Sequence, residues 1–326
     1  MEVTNQPKLV TVFGGSGFLG RHVVRLLAKK GYRIRVACRR PDLAGHLQPL
    51  GNVGQIVAIQ ANLRNRDSID RAVHGADYVV NCVGILFEKG RNTFNAVQGF
   101  GAVSIAEAAK SVGAKLVHVS AIGADKDSDS DYARTKGKAE ADILTTLNDA
   151  IILRPSIIFG PEDNFFNKFA DMSRLAPALP LIGGGHTKFQ PVYVADVAEA
   201  VVKAVSGELE GGQTYELGGP EVLSFKQCLQ IMLKVISRSR PLVSLPFPIA
   251  SMIGSIASMI PFIDPPLTPD QVELLKKDNV VSDDAISGQH DLKSMGISPT
   301  AVEAILPSYL VHFRPAGQYT KLGPKT

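Results

Sequence analysis

The chain has 326 residues, of which 45% are hydrophobic and 20% charged, a composition that excludes a largely disordered protein. The formal net charge is +4, but there is no long basic run with interleaved aromatics and no Trp, which argues against nucleic acid as a partner. Cys38, Cys82 and Cys228 lie far apart without metal-ligand spacing. We therefore expect no metal site, cysteines that pack as small apolar residues, and a reducing compartment.

The amino-terminal segment carries no targeting signal that we can read. Its first eight residues contain neither an apolar signal-peptide core nor an Arg- and Ser-rich presequence. The first predicted strand follows at once, at Leu9. This pattern predicts residence in a cytoplasm of the bacterial type.

Apolar, strand-like runs alternate with segments of helical periodicity through the first half of the chain. The predicted strands are Leu9 to Phe13, Arg33 to Cys38, Gln55 to Gln60, Tyr78 to Val83, Leu116 to Ser120 and Ala150 to Phe159. Such alternation is typical of an α/β fold with a parallel sheet covered on both faces. We therefore expect a Rossmann-type, doubly wound parallel sheet.

The regular alternation stops after Gly160-Pro161, where loops rich in Pro and Gly begin. A helix over Ala195 to Val205 and a strand over Gln213 to Leu217 are expected to return to the sheet. Ser224 is placed to cap a further helix that ends near Ile236. The predicted domains are thus a dinucleotide-binding domain over residues 1–160, completed by about 190–218, and a smaller, mostly helical C-terminal lobe over 161–189 and 219–326.

Residues 245–263 carry no charged side chain. Pro248 and Pro261 bracket a helix of only about 12 residues, whereas a helix that crosses a bilayer needs about 20. Two interpretations remain open. The helix is either buried in the smaller lobe or lies with an apolar face against a membrane surface or a membrane subunit.

The first predicted strand runs directly into a glycine-rich turn, Gly14-Gly15-Ser16-Gly17-Phe18-Leu19-Gly20. Glycines at this spacing allow a tight turn, a close backbone approach to phosphate and close packing of the following helix on the strand. Backbone N–H groups of Ser16 to Gly20 and the helix N-terminus can then bind a pyrophosphate. The turn predicts dinucleotide binding, with a purely structural strand-to-helix turn as the alternative.

The second strand ends in Ala37-Cys38-Arg39-Arg40, where an NAD site would carry a carboxylate for the ribose 2′-hydroxyl. Arg39, together with Arg40, can hold a 2′-phosphate through charge-assisted hydrogen bonds. We therefore expect NADP(H) to be preferred over NAD(H). The alternative is a solvated arginine pair at a strand end.

Two further strand ends are expected to border the cofactor. Asn62 and Leu63 follow the third strand, where the adenine would lie. Val83 and Gly84 follow the fourth strand, where Gly84 would let the backbone approach the cofactor. Both assignments rest on position in a Rossmann unit alone.

Tyr132 and Lys136 stand one helical turn apart, just after the fifth strand. The ammonium would lower the pKa of the phenol and bind the nicotinamide ribose, while the phenol would exchange a proton with a carbonyl or alcohol. His118 is expected to be a core residue of the fifth strand. The charged neighbours of the pair on its helix, Arg134, Lys138 and Glu140, are expected to be solvated.

These motifs together resemble the extended short-chain dehydrogenase/reductase superfamily, over residues 8 to about 220. The segments that carry the resemblance are Gly14 to Gly20, Arg39, Val119 to Ala121, Tyr132 to Lys136, Leu153 to Pro155, Phe159 to Pro161 and Pro191 to Ala198. The resemblance implies a Rossmann fold, a nicotinamide dinucleotide, and a place for Pro155 beside that cofactor.

Within the superfamily the chain is similar to the complex I accessory branch, the nucleotide-binding subunit of respiratory NADH:ubiquinone oxidoreductase in its alphaproteobacterial form. The segments concerned are Phe159 to Asp163, Gly185 to Val194, Leu267 to Leu275 and Asp278 to Val281. This resemblance implies docking on the hydrophilic arm of complex I near the membrane, peripheral on the cytoplasmic face of a bacterial inner membrane. It also implies that residues 245–263 contact lipid or neighbouring subunits.

The sequence departs from the superfamily pattern at the end of the fifth strand. The second of two hydroxyl residues usually orients a substrate carbonyl there, but this chain has Ala121, with Ser120 one residue early. A shift of one residue turns a side chain to the other face of a strand. Three functions therefore stay open. The first is an accessory subunit with a structural nucleotide, and the second is a freestanding NADP(H)-dependent reductase, epimerase or dehydratase that uses Tyr132, Lys136 and Ser120. A redox-sensing regulator that binds NADP(H) without turnover is a third.

Overall fold

A computed structural model describes residues 7–258 and 267–316. The strands are β1 (Leu9–Phe13), β2 (Arg33–Cys38), β3 (Ile56–Gln60), β4 (Tyr78–Asn81), β5 (Lys115–Val119), β6 (Ile151–Pro155), β7 (Ile158–Phe159), β8 (Leu179–Ile182), β9 (Lys188–Phe189), β10 (Val192–Tyr193), β11 (Thr214–Leu217), β12 (Leu223–Ser224) and β13 (Leu242–Leu245). The helices are α1 (Phe18–Lys29), α2 (Arg66–Val73), α3 (Phe100–Ser111), α4 (Asp131–Thr146), α5 (Phe166–Leu175), α6 (Val194–Val205), α7 (Phe225–Val235), α8 (Phe247–Ser258), α9 (Pro269–Leu274), α10 (Asp283–Ser287) and α11 (Val302–Leu310).

The first of two compact units comprises residues 7–155, 194–217 and 282–298. Its seven strands form one parallel sheet in the order β11-β6-β5-β4-β1-β2-β3. Successive strands run outward from β1 to β3, and the chain then crosses to β4 on the other side of β1. The predicted Rossmann-type parallel sheet is confirmed, and its topological switch point lies between β1 and β4, where such folds bind ligands.

Helices cover both faces of this sheet. On one face α1 packs against α6, with Val23, Val24 and Leu27 of α1 fully buried. On the other face, side chains from α2, α3 and α4 join the sheet in one apolar cluster, which includes Ile69 and Ile105. Strands buried on both faces explain the continuous apolar runs in the sequence.

The predicted strand over Ala150 to Phe159 is in fact two strands, β6 and β7. β6 ends at Pro155, and the next residue, Ser156, donates from Oγ to the backbone oxygen of Asn279 at 2.9 Å. β7 pairs with β10 in the second unit. The apolar run therefore leaves the sheet at Pro155, which sequence periodicity alone does not reveal.

The second unit comprises residues 156–193, 218–258, 267–281 and 299–316. It contains five helices and three two-stranded pairs: β7 with β10, β8 with β13 and β9 with β12. Its core is an aromatic cluster in which Phe159, Phe166 and Phe225 are fully buried. Ser224 caps α7 in a reciprocal capping box with Gln227, as its position predicts.

The predicted division of the chain is wrong for residues 282–298, which the sequence pattern places in the smaller lobe. In the structure they belong to the first unit, where the backbone N–H of Ser282 donates to Oε2 of Glu216 at 2.8 Å. The Glu216 N–H in turn donates to the backbone oxygen of His290 at 2.9 Å. A helical segment late in the chain thus completes the edge of the sheet at β11.

Helix α8 has two different faces. Ala250 is fully buried and packs with Ile182 and Val272, whereas Ile249, Met252 and Ile253 are 44%, 58% and 44% exposed. The helix is therefore buried in the smaller lobe on one face and exposed on the other. The remaining residues of the uncharged segment, 259–263, lie outside the described residues. In residues 7–258 and 267–316, no helix has both the length and the apolar character required to cross a membrane.

Candidate functional site

The glycine turn between β1 and α1 is packed so closely at Gly14 and Gly20 that a side chain would not fit at either position. Gly14 has a φ of +74°, a conformation that favours glycine, and a Cβ there would lie 3.1 Å from Cγ2 of Val83. At Gly20 a Cβ would lie 2.1 Å from the Gly14 oxygen and 2.6 Å from the Gly15 Cα. Helix α1 therefore starts in direct contact with the turn, the geometry that a dinucleotide cradle requires.

Helix α1 begins without a side-chain cap. Its N-cap is Gly17, whose N–H donates back to the Gly14 oxygen at 2.9 Å. The first N–H groups of a helix have no intrahelical acceptor, so those of Phe18, Leu19 and Gly20 point out of the helix start. Together with the helix dipole they form a site for an anionic group such as a pyrophosphate.

The side chain of Ser16, in the turn, acts on the thiol of Cys38 at the end of β2. Burial raises the pKa of the Cys38 thiol, with Ser16 acting in the opposite direction. The thiol is therefore neutral at physiological pH, as expected of a cysteine that packs as an apolar residue.

The two arginines after β2 are not equivalent. Arg39 is exposed and forms no ion pair within the part of the chain that the structure describes. Arg40 pairs with Asp42, with 2.7 Å between Nη2 and Oδ2, and the bonded carboxylate raises the pKa of Arg40. Arg39 is thus the side chain that can meet a 2′-phosphate without giving up a partner.

The residues that follow β3 and β4 differ in their exposure to solvent. Leu63 is buried beneath α3, and the Asn62 Oδ1 accepts from the Arg64 N–H at 3.1 Å. Val83 is half-buried against Gly14, while Gly84 is exposed and has no atom within 4 Å of the position a Cβ would take. Gly84 therefore offers open backbone at the switch point, whereas Leu63 packs in the core.

Tyr132 and Lys136 lie together near the start of α4, where Ser130 caps the helix. The Lys136 Nζ lies 5.6 Å from the centre of the Tyr132 ring, which contacts Phe94 edge-on. Lys136 is only 3% exposed, and burial lowers the pKa of its amine to about 8, against the opposing attraction of Glu140. The predicted pair is therefore brought together, with its amine in an apolar environment.

A buried polar pair lies on the neighbouring strands β4 and β5. The Asn81 Nδ2 donates to Nδ1 of His118 at 3.1 Å, and the Asn81 Oδ1 accepts from the Val83 N–H at 3.0 Å. Burial, and secondly the charge of Lys136, lowers the pKa of His118 to about 3. His118 is therefore a neutral core residue, in line with its position inside a strand.

Ser120 and Pro155 lie at the adjacent ends of β5 and β6. The Ser120 N–H donates to the Leu153 oxygen at 2.7 Å, and the Ile122 N–H donates to the Pro155 oxygen at 3.0 Å. Ser120 is 5% exposed, and its buried hydroxyl has no hydrogen-bond partner among the described residues. Its neighbour Ala121 is half-buried and carries no hydroxyl.

The prediction that Glu140 is solvated is wrong. It is 5% exposed and accepts from Arg154 at two nitrogens, with Nε 3.1 Å from Oε1 and Nη2 2.5 Å from Oε2. Arg154 on β6 also lies 3.6 Å from Glu216.

The turn before α3 adds a residue that sequence reasoning missed. Residues Asn95–Gly99 form a short π-helix that runs into α3, a local insertion that often marks functional sites. Gln98 within it is 3% exposed and donates to the Ile85 oxygen at 3.1 Å, while its Oε1 has no partner among the described residues. In the same part of the chain, no group of three or more His, Cys, Asp and Glu side chains is arranged to hold a metal ion.

Comparison with known proteins identifies the family. The profile of the NAD dependent epimerase/dehydratase family matches residues 10–218, which span the glycine turn, the Tyr132–Lys136 pair and the chain through β11. The chain belongs to this family. A nicotinamide dinucleotide is thus the cofactor class of its family, and the glycine cradle described above fits such a group.

Two relatives match almost the whole chain. NADH dehydrogenase (ubiquinone) 1 alpha subcomplex subunit 9, mitochondrial, of Arabidopsis thaliana is 36% identical over 320 residues, which cover 95% of this chain and 79% of the relative. The NADH-ubiquinone oxidoreductase 40 kDa subunit, mitochondrial, of Neurospora crassa is 29% identical, covering 97% and 82%. The resemblance to the complex I accessory branch is confirmed.

Solved structures of the NAD dependent epimerase/dehydratase type share the fold. UDP-glucose 4-epimerase of Thermus thermophilus in complex with NAD superposes with a TM-score of 0.69 at 20% identity, covering 94% of this chain and 99% of the epimerase. At this identity the similarity concerns the fold alone.

Proposed function

We propose that this chain is an NADP(H)-binding accessory subunit of respiratory complex I in which the nucleotide is a structural component. The observation that carries the proposal is the 36% identity over 320 residues to the Arabidopsis thaliana alpha subcomplex subunit 9, which reaches beyond the dinucleotide-binding unit into the rest of the chain. A family match limited to residues 10–218 would support only a dinucleotide-binding protein.

The residues at the switch point fit a dinucleotide. Gly14 and Gly20 let the turn and helix α1 pack closely on each other, and the start of α1 supplies N–H donors for a pyrophosphate. Lys136 would bind the nicotinamide ribose, and Gly84 would face the cofactor with bare backbone. A bound nicotinamide would supply hydride transfer. A ligand that binds only the folded state also stabilises it by mass action, so the nucleotide would stabilise the first unit.

Preference for NADP(H) is proposed to depend on Arg39. Its guanidinium is exposed and unpaired among the described residues, whereas Arg40 is already bound to Asp42. Arg39→Ala should weaken NADPH binding by about 10- to 150-fold, the equivalent of one charged hydrogen bond of about 1.5–3 kcal/mol. Fluorescence titration should show unchanged NADH binding, and Arg40→Ala, the control, should have a smaller effect on NADPH. Equal losses for NADPH and NADH would overturn the assignment.

A structural role for the nucleotide is supported by the end of β5. Ala121 has no hydroxyl to orient a substrate carbonyl, and the Ser120 hydroxyl is buried. Tyr132→Phe should therefore leave NADPH binding within about twofold, because the phenol hydroxyl is not needed to hold the nucleotide. The wild-type protein with NADPH and a panel of carbonyl substrates should show no change at the nicotinamide absorbance band.

The alternative is a freestanding NADP(H)-dependent reductase, epimerase or dehydratase. It is favoured by the Tyr132–Lys136 geometry and by a ceramide reductase of Caulobacter vibrioides, which is 31% identical over 199 residues, 61% of each chain. Lys136 would lower the pKa of the phenol, Tyr132 would transfer a proton to the substrate oxygen, and Ser120 would have to turn toward it. NADPH oxidation that Tyr132→Phe abolishes would establish this function instead.

Docking on the hydrophilic arm near the membrane, on the cytoplasmic face of a bacterial inner membrane, is proposed to involve the exposed face of α8. This face consists of Ile249, Met252 and Ile253, without a charged residue on the helix. An uncharged, partly exposed apolar face is suited to lipid or to an apolar subunit surface. Residues 245–263 would thus provide the membrane-proximal contact.

Purification from membranes in mild detergent tests the subunit proposal. The untagged protein should co-purify with NADH:ubiquinone oxidoreductase activity, and a purely cytosolic monomer would refute it. Serine at Ile249, Met252 and Ile253 together should lower the membrane-bound fraction at least about tenfold, because three apolar side chains are lost from the contact. The control carries serine at three other exposed apolar positions: Leu43, Leu175 and Val222.

A further inference from the structure

A cavity of about 320 Å³ lies at the edge of the parallel sheet opposite to the glycine turn. It is lined by the first residues of three strands, Tyr78 of β4, Lys115 of β5 and Ile151 of β6, whereas the turn follows the last residue of β1. Its lining residues belong to the first unit. The volume is at the small end of the range for ligand pockets, about 300–1,000 Å³, and suits a ligand much smaller than a dinucleotide.

The floor of the cavity is apolar. Leu116 packs into the cluster that includes α2, α3 and α4, so its neighbours in β5, Lys115 and Val117, face the other side of the sheet. On that side the cavity is bordered by the C-terminal end of α6, where Ala204 lines it, and by Ile151 of the next strand. The three apolar side chains are buried. They offer a ligand apolar surface against which to bury its own.

Two hydrogen-bond donors stand side by side at this cavity. Tyr78 and Lys115 are directly paired on adjacent parallel strands, which lie about 4.8 Å apart. The phenol oxygen of Tyr78 accepts from the Lys8 ammonium at 3.1 Å, so its own O–H remains to donate. Neither this O–H nor the exposed ammonium of Lys115 has an acceptor among the residues that the structure describes. Two adjacent donors, one of them charged, suit a carboxylate.

A carboxylate lines the same cavity. Asp149 lies two residues before Ile151, which pairs with Val117 of β5, two residues after Lys115. Asp149 and Lys115 therefore stand at the start of neighbouring strands, yet within the described part of the chain they form no ion pair with each other or with another side chain. The C-terminal end of α6, the negative end of its helix dipole, also borders the cavity. The cavity thus offers a place for a cation beside a place for an anion.

We propose that this cavity binds a free apolar α-amino acid of the size of leucine, at a site separate from that of the dinucleotide. The ligand carboxylate binds the Lys115 ammonium and the Tyr78 O–H, and the ligand ammonium binds Asp149. The ligand side chain lies against Val117 and Ile151. An amino acid carries both charges on one carbon atom, and the cavity has both opposite charges on neighbouring strands. A plain carboxylic acid would leave Asp149 facing an anion, and a plain amine would leave Lys115 facing a cation.

Isothermal titration calorimetry of the full chain with L-leucine tests the proposal. Saturable binding is expected, with a dissociation constant of about 1 mM or below. Glycine, which has no side chain to bury, should bind at least about tenfold more weakly. Isocaproate, which is leucine without its amino group, should also bind at least about tenfold more weakly, because it loses a charged hydrogen bond. Absence of saturable heat with leucine up to about 10 mM, or isocaproate bound as tightly as leucine, would overturn the proposal.

Two variants locate the site. Lys115→Met should weaken leucine binding at least about tenfold, whereas Lys110→Met, the control at an exposed lysine of α3, should not change it. Asp149→Asn should weaken leucine but strengthen isocaproate, because the carboxylate that attracts an ammonium repels a carboxylic acid. Loss of structure cannot change the two affinities in opposite directions. An Asp149→Asn protein that loses both ligands alike, or a Lys115→Met protein that binds leucine as the wild type does, would refute the proposal.

An NADPH titration of Lys115→Met separates the cavity from the proposed nucleotide site. The affinity for NADPH should stay within about twofold of wild type, because Lys115 and the glycine turn lie at opposite edges of the sheet. A parallel loss of leucine and NADPH binding would show that Lys115 supports the fold, and would overturn its assignment to the cavity. If the wild type bound no NADPH, the proposed cofactor function would fail, while leucine binding would be unaffected.

Discussion

Gly20→Ala tests the contact on which the dinucleotide cradle depends. The added methyl would lie 2.1 Å from the Gly14 oxygen, 2.6 Å from the Gly15 Cα and 2.8 Å from the Gly14 carbonyl carbon. All three atoms are backbone, so no side-chain rotation can relieve the overlap. The turn and helix α1 must separate by more than about 1 Å before the shortest of these distances reaches ordinary contact.

That separation is resisted on both sides. The Gly14 N–H is bonded to the Ala37 oxygen at 3.2 Å, and the inner stripe of α1, including Val23 and Leu27, is fully buried. Overpacking of this kind costs about 1–3 kcal/mol, and the upper part of that range applies because the overlap is with backbone. A shift of about 1 Å also breaks N–H contacts to phosphate, each worth about 1.5–3 kcal/mol.

We therefore expect Gly20→Ala to lower the free energy of unfolding by about 2–3 kcal/mol and the NADPH affinity by at least tenfold. Urea unfolding followed by circular dichroism measures the first, and fluorescence titration the second. Gly45→Ala is the control, because a Cβ at Gly45 would meet no atom within 4 Å. NADPH binding within twofold of wild type, at unchanged stability, would refute the description of the turn as a tight cradle.

Three more variants probe the site. Gly84→Ala should leave the stability of the protein unchanged, because no atom lies within 4 Å of the new Cβ. It should weaken NADPH binding, and unchanged binding would contradict a close approach of the Gly84 backbone to the nucleotide. Lys136→Met should raise the free energy of unfolding of the nucleotide-free protein at pH 7 by up to about 3 kcal/mol. The pKa of Lys136 in the folded protein, about 8, lies below its ordinary value of 10.5. Below pH 8 the amine is charged, so the full cost of burying that charge is present and the variant removes it. A loss of stability in urea would count against it. His118 has a folded pKa of about 3, below its ordinary 6.5, so it contributes stability above pH 6.5 that is lost as pH falls toward 3. His118→Gln should therefore move the acid-unfolding midpoint, measured by circular dichroism, to lower pH; an unchanged midpoint would disprove this.

The parallel sheet could be predicted from sequence because each strand is a local signal. Five apolar runs, from Leu9 to Ser120, match β1 to β5 to within two residues at each end. The sixth run failed, since Pro155 ends β6 while the apolar pattern continues into β7. Periodicity records which residues are buried but not which sheet they enter.

The glycine turn and the Tyr132–Lys136 pair were also predictable, because both depend on residues that are close in sequence. Glycine at Gly14 and Gly20 reports a local backbone requirement, and a spacing of four places two side chains on one helix face. The nucleotide preference and the individual binding residues remain predictions. The difference between Arg39 and Arg40 came only with the structure, which pairs Arg40 with Asp42.

The sequence by itself determined the first five strands, the position of the glycine turn and the family, because these follow from short-range patterns. Only the tertiary structure decided that Glu140 is buried against Arg154, that residues 282–298 close the edge of the sheet, and that α8 keeps one apolar face exposed. Each of these depends on contacts between segments far apart in the chain. Such contacts are set by how the elements pack, and a charged or apolar residue looks the same in sequence whichever neighbour it meets.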